Sequence, residues 1–291
     1  MNAVALACGV GAILLWSTNA FVGKYALSEL SVAQVQTFQF AGAAMTFFAL
    51  RVATGSGVWT SGRADALVIG LIGLVGTMVF QYLAFSVGPI AVVNLLAYAW
   101  PLLMACAVIA IGSSSSPLFL LVVSINGFVG VALLIGDTGA IESASGPALG
   151  YVYASLSAAC MAAYSIGVAR LKSSPAEVLL PASLIGLFIT AVWWAVTESH
   201  ALSPPTVLAA LYLGIGPMGF GYILWSYAMR AGSVGPLSTL GYATPVLSTI
   251  FLIASGERLT LLAMFGGAMI VAACALSGKL AATEPGDAYS K

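Results

Sequence analysis

Apolar residues in this chain come in long runs rather than in alternation. Runs of the length a bilayer-crossing helix needs, about 20 mostly apolar residues, stand at about 4–26, 32–53, 66–86, 90–112, 117–136, 148–170, 178–197, 206–230, 234–255 and 260–280. Strands of a membrane barrel would instead alternate apolar and polar positions over about 10 residues. The stretch from Ala66 to Met78 does not alternate. The pattern therefore predicts an all-α integral membrane protein of ten transmembrane helices, with nine short connections and two tails.

Composition strengthens that reading. The chain has 291 residues, 61% apolar and 6% charged, with a mean hydropathy of +1.07. A soluble domain carries roughly 25% charged residues, and this chain lacks the charge to cover a surface facing water. A formal net charge of zero argues against a nucleic-acid partner. The first basic residue, Lys24, follows the first apolar run rather than preceding it, so that run is expected to be a retained span and not a signal peptide. The four cysteines (Cys8, Cys106, Cys160, Cys274) all fall inside predicted spans without CxxC spacing, so neither a disulfide framework nor a metal site is expected.

Charge placement predicts orientation. With ten spans both termini share a side, and on it fall Arg51, Arg63, Arg170, Lys172, Arg230, Lys279 and Lys291. The opposite side holds only Lys24 and Arg258. The positive-inside rule makes the first side cytoplasmic. The basic residues within spans lie near helix ends, where they are expected to snorkel to the headgroups.

The chain also repeats itself. Tyr98-Ala99-Trp100-Pro101 and Tyr242-Ala243-Thr244-Pro245 sit in the fourth and ninth runs, and 245 minus 101 gives an offset of 144, about half the chain. Gly88-Pro89 and Gly235-Pro236 open the same two runs. This predicts a five-helix unit at 1–141 and a second at 142–291, with Asp137 to Pro147 as linker. Five is odd, so the second copy enters the membrane inverted, which places a solute site at the repeat interface.

These stretches, together with Leu15-Trp16-Ser17-Thr18 and Tyr242-Ala243-Thr244-Pro245-Val246-Leu247-Ser248, resemble the drug/metabolite transporter superfamily in its ten-helix, EamA-type branch, and most of all its aromatic amino-acid exporters. The resemblance covers nearly the whole chain. It implies a basket of ten helices around a central cavity, with helices one, three, four, six, eight and nine lining it and five and ten behind. One departure is Ser113 to Ser116 after the fourth run, where the second repeat carries the acidic Glu257.

Catalytic chemistry has little to stand on. The one histidine, His200, lies between runs, and no Asp or Glu falls inside any predicted span. That removes Ser/His/Asp arrangements and paired carboxylates, so no enzyme activity and no cofactor are expected. The runs do contain neutral polar and aromatic residues at helical spacing. Trp16 and Asn19 share a face of the first helix; Met78, Gln81 and Tyr82 cluster on the third. Asn94, Tyr98 and Trp100 lie on the fourth, Ser157, Met161 and Tyr164 on the sixth, Tyr222 and Trp225 on the eighth, Thr239 and Tyr242 on the ninth. Amides also serve as interhelical glue, and ring N–H and O–H groups need partners in hydrocarbon. Pro101 and Pro245 fall near mid-span and are candidate hinges, because an interior proline removes a backbone hydrogen bond.

Charge limits the solute. A polyanion would want several fixed cations near mid-membrane, and a cation-selective site a buried carboxylate; the spans offer neither. A zwitterion can be met by aromatic faces and carbonyls at its ammonium, by amides such as Asn19 and Gln81 at its carboxylate, and by a Trp/Tyr/Met wall at its side chain. The expected partners are thus a small zwitterionic amino acid and the lipid bilayer of a bacterial inner membrane, with a single chain sufficient. The expected activity is export of aromatic and large apolar amino acids by alternating access, as a facilitator without proton or sodium coupling. Other lipophilic metabolites or drugs are the rival cargo.

Overall fold

The computed structural model describes residues 2–55, 64–88, 90–136, 148–197, 200–254 and 260–283. The expected linker from Asp137 to Pro147, and Arg63, Pro89, Glu257, Arg258 and Lys291, lie outside the described residues, as do the side chains of Lys24 and Lys279.

Helices account for the ten apolar runs, and several are interrupted. The first run is α1 (Ala3–Ser17) and α2 (Asn19–Ala26), the second α3 (Val32–Ala53). The third is α4 (Ala64–Gly70), a π-helical stretch π1 (Leu71–Gly76) and α5 (Thr77–Val87). The fourth splits into α6 (Ile90–Ala97) and α7 (Trp100–Ala110), and the fifth is α8 (Pro117–Gly136). The second half follows with α9 (Ala148–Arg170), α10 (Pro175–Val196), α11 (Pro204–Leu213), π2 (Gly214–Phe220), α12 (Gly221–Ala231), α13 (Val234–Leu240), α14 (Ala243–Ala254) and α15 (Leu261–Thr283). No strand occurs among the described residues.

Eight helical stretches are long and apolar enough to cross a bilayer. The second and ninth runs are helical but stand outside that set. α3 has 22 residues, about 33 Å at 1.5 Å per residue, yet it carries Gln34, Gln36, Gln39 and Arg51, all buried. The ninth run is broken between Leu240 and Ala243 into pieces of 7 and 12 residues.

Caps explain two helix starts: α3 begins at Val32, where the second run was expected to begin, whereas α10 begins at Pro175, three residues before the expected 178. Ser31 and Gln34 form a capping box at the start of α3, and Ser174 and Glu177 form the equivalent one on α10. Each side chain satisfies a backbone N–H left orphaned at a helix start. The expectation that no acidic residue lies within a span is corrected here. Glu177 sits in the first turn of α10, and Asp65 in the first turn of α4, where its Oδ1 accepts from the Ala66 N–H at 2.9 Å. Both are terminal, where the helix dipole favours negative charge.

Packing brings the halves together pairwise: α8 on α15, α3 on α10, α1 on α12, α5 on α9, and α7 on α13. Local features recur at a near-constant spacing. The capping boxes start at 31 and 174, the π-helical stretches at 71 and 214, and the helices after the breaks at 100 and 243, each a difference of 143. Large apolar side chains such as Leu118, Phe188 and Leu208 point outward, where a soluble protein would place charge.

Candidate functional site

At the centre, helices stop being regular. The first run breaks at Thr18, where the Ser17 hydroxyl donates to Leu14 O at 2.7 Å and the Thr18 hydroxyl to Leu15 O at 2.8 Å. Such hydroxyls bond back to carbonyls of the preceding turn. From the ninth run, the Ser248 hydroxyl donates to Ser17 O at 2.9 Å. Pro101 and Pro245 lie at the starts of α7 and α14, just beyond breaks at Tyr98–Ala99 and Gly241–Tyr242. They therefore open a new helix segment rather than kinking a continuous one, which suits a residue without an N–H.

Three tryptophans and two tyrosines meet beside these breaks. The Trp16 ring lies 5.3 Å from Trp225, 5.8 Å from Tyr222 and 6.3 Å from Trp100, centroid to centroid. Trp100 meets Trp225 edge-on at 5.3 Å, and Tyr222 meets Tyr164 at 5.3 Å. Edge and tilted geometries at these separations are the favoured ones for aromatic pairs. Every indole and phenol in this group that carries a hydrogen bond is bonded across helices. Trp16 Nε1 donates to Pro217 O in π2 at 2.9 Å, and Trp225 Nε1 to the Ser165 hydroxyl at 2.9 Å. Tyr164 pairs with the Ser226 hydroxyl at 2.7 Å, and Tyr222 donates to Gly73 O in π1 at 3.3 Å. Both π-helical stretches thus lend a carbonyl to the cluster. Met161 is buried in the same core, and Met78 packs against it.

Three amides behave differently. Asn19, Gln81 and Asn94 are half-buried, and their side chains make no hydrogen bond among the described residues. Asn19 shares a helix face with buried Gly23 and Ala26 (i, i+4, i+7), so it faces the bundle. Gln81 lies one turn from Met78 and from Phe85, both of which pack inward. Each amide has two donors and an acceptor, and none of the three is among the fully buried unpaired groups, so they stay open to water or to a ligand. As interhelical glue they would need partners on neighbouring helices, and none stands among the described residues.

Other expected residues go elsewhere. Tyr242 and Tyr98 belong to a separate apolar cluster with α8 and α15, the Tyr242 ring lying where a side chain at Gly127 would be. The Thr239 hydroxyl pairs with that of Ser277 on α15. Residues of α8 and α15, not the tryptophan cluster, hold these side chains. A Thr239→Val substitution should therefore lower stability, by about 1 kcal/mol for the lost hydroxyl pair, and leave solute KM unchanged; a several-fold change in KM at normal melting temperature would contradict it. Ser157 spends its hydroxyl on Thr77 O at 2.9 Å, which ties α9 to α5.

Tyr82 leads to residues that sequence reasoning missed. Gln39 Nε2 donates to Tyr82 Oη at 3.0 Å, and Gln36 Nε2 donates to Gln39 Oε1, a buried chain from α3 to α5. Three glutamines within six positions of an apolar run, Gln34, Gln36 and Gln39, were the signal available. Ser165, Ser226 and Pro217 gave none, since their partners lie 60 or more positions away. Arg230 also departs from expectation: instead of snorkelling outward, its Nε donates to Val168 O at 3.2 Å, and its Nη2 is buried.

The broken runs carry both the aromatic cluster and the half-buried amides, and the relatives of the chain identify it as a membrane transporter rather than an enzyme. Residues 148–278 match the EamA-like transporter family. The aromatic amino acid exporter YddG of Ancylobacter novellus is 31% identical over 283 residues, covering 92% of each chain. A solved structure described as "Crystal structure of protein" superposes with a TM-score of 0.85 at 28% identity, over 96% of this chain and 99% of the other. The chain belongs to the EamA-like family of the drug/metabolite transporter superfamily.

Proposed function

We propose that the protein exports aromatic and large apolar amino acids across a bacterial inner membrane, by alternating access. The observation that carries this reading is the set of amides without a partner among the described residues, Asn19, Gln81 and Asn94, on runs that also supply Trp16, Met78 and Trp100. The amides meet the carboxylate and ammonium of a zwitterion, and the rings meet its side chain. The similarity to an exporter named for aromatic amino acids points the same way.

The architecture we infer is ten crossings in two inverted repeats, 1–141 and 142–291, around a central site, with both termini cytoplasmic. The spacing of 143 between matched caps, π-helical stretches and breaks supports it, as does the pairing of α3 with α10 and α8 with α15. Glutamine-rich α3 and broken α13–α14 would cross as well, their polar groups facing protein rather than lipid. The breaks before Pro101 and Pro245 would serve as matched hinges.

The test is counterflow in liposomes: labelled phenylalanine should accumulate transiently when unlabelled phenylalanine is trapped inside. Rapid flux without counterflow would indicate a channel, and counterflow with lipophilic drugs alone would indicate the rival cargo. Transport should also proceed down the solute's own gradient. Intramembrane Asp, Glu and His mark proton relays, and Glu177 and Asp65 are occupied as terminal caps. An imposed pH or sodium gradient should change initial flux less than about twofold; concentrative uptake driven by either gradient would overturn the facilitator reading and turn attention to Lys24.

A further inference from the structure

We propose that the Arg230 guanidinium is a second docking point for the cargo, binding its carboxylate between the aromatic cluster and the N-terminal end of the bundle. The inference rests on the amino-acid reading above. Arg230 lies one helical turn beyond Ser226 and two beyond Tyr222 on one face of α12 (i, i+4, i+8). Ser226 and Tyr222 both touch Tyr164 of the cluster. The guanidinium is thus the next polar group along a face that begins at the tryptophans. The N-terminal end is where it leads: α1 and α12 run antiparallel, with Gly9 beside Ala228 and Ala5 beside Gly232.

The hydrogen-bond inventory of Arg230 is unfinished. Nε closes α12 onto α9 through Val168 O, while Nη2 is buried and has no hydrogen-bond partner. A buried guanidinium donor left unmade is costly, and a planar carboxylate is the ligand that guanidinium geometry fits best. Glu177 acts on Arg230 electrostatically and also accepts the Ser174 N–H at 2.7 Å in the capping box, without supplying a hydrogen bond to Nη2. A carboxylate arriving from the cluster would complete Nη2 and compete with the Val168 contact, so that loading the site loosens α9 from α12 at this end.

The test compares phenylalanine with its methyl ester, which keeps the ring and amine but lacks the carboxylate. In proteoliposomes of the full chain, R230Q should lower phenylalanine flux relative to ester flux by about tenfold, the worth of one charge-assisted hydrogen bond. R230K, which keeps the charge but not the fork, should lower the ratio by a smaller factor and serves if R230Q does not fold. An unchanged ratio in R230K and R230Q, with both fluxes falling together, would make Arg230 a clasp between α9 and α12 and end the proposal. If the unmodified protein moves no phenylalanine, the function reading itself has failed, and this inference falls with it.

Discussion

A Gly214→Ala variant should lose its folded, monodisperse form, or at least melt about 5 °C or more below the parent protein. Gly214 opens π2 in the eighth run and packs directly on α3. A methyl group there would strike the Gln39 carbonyl oxygen and the Gly42 Cα. Both are backbone atoms and cannot rotate away, so one helix must move. Gly42 faces the same contact from the other side, its added methyl meeting Leu211 O and the Ile215 N–H. Overpacking of this kind costs about 1–3 kcal/mol and sometimes more. In hydrocarbon, close backbone approach is also the source of helix–helix affinity, so the loss is not recovered from a hydrophobic term. Gly267 in α15 is the control, because nothing lies within 4 Å of a methyl placed there. Gly267→Ala should be neutral or stabilise by up to about 1 kcal/mol through helix propensity. Equal melting temperatures for the two variants would show that the α3–π2 contact is loose.

The same contact shows why the fold was more legible than the site. Ten apolar runs announce ten helical stretches because hydrocarbon leaves a backbone few other choices. The proposed repeat was suggested in the sequence by Pro101 and Pro245, whose chemistry is local. Those prolines did not reveal that each would start a segment, and the break residues Tyr98 and Tyr242 pack with residues of α8 and α15 that lie far away in the sequence. For the same reason Tyr98, Tyr242 and Thr239 shared a helical face with expected site residues yet face away from the cluster. The π-helical stretches were invisible too, although Pro217 and the glycines around it mark where one could form. Arg230 was placed at a helix end, where outward snorkelling is ordinary; its turn toward Val168 depends on a helix 62 positions away in the chain.

Trp16→Ala should raise the KM for phenylalanine counterflow about tenfold while leaving the yield of folded protein within about twofold, and Trp225→Ala should do the reverse. The two indoles touch each other, so their environments decide. Trp225 is fully buried, its N–H is committed to Ser165, and its ring is clasped by Trp16 and Trp100. Truncating such a ring costs about 3–5 kcal/mol, comparable with the whole margin by which a protein stays folded. Trp16 is half-buried, at the last turn before the break at Thr18, and rests where Gly221 has no side chain. Its ring is less covered than that of Trp225, and Asn19 stands one turn away. Losing that ring from beside a cargo ring would remove about 1.4 kcal/mol of binding, which is the tenfold change. Trp16→Phe separates the ring from its N–H: it keeps the aromatic wall but frees Pro217 O, so KM should rise only a few-fold. A Trp16→Ala protein that fails to fold as completely as Trp225→Ala would make Trp16 a packing residue and move the aromatic wall of the site elsewhere.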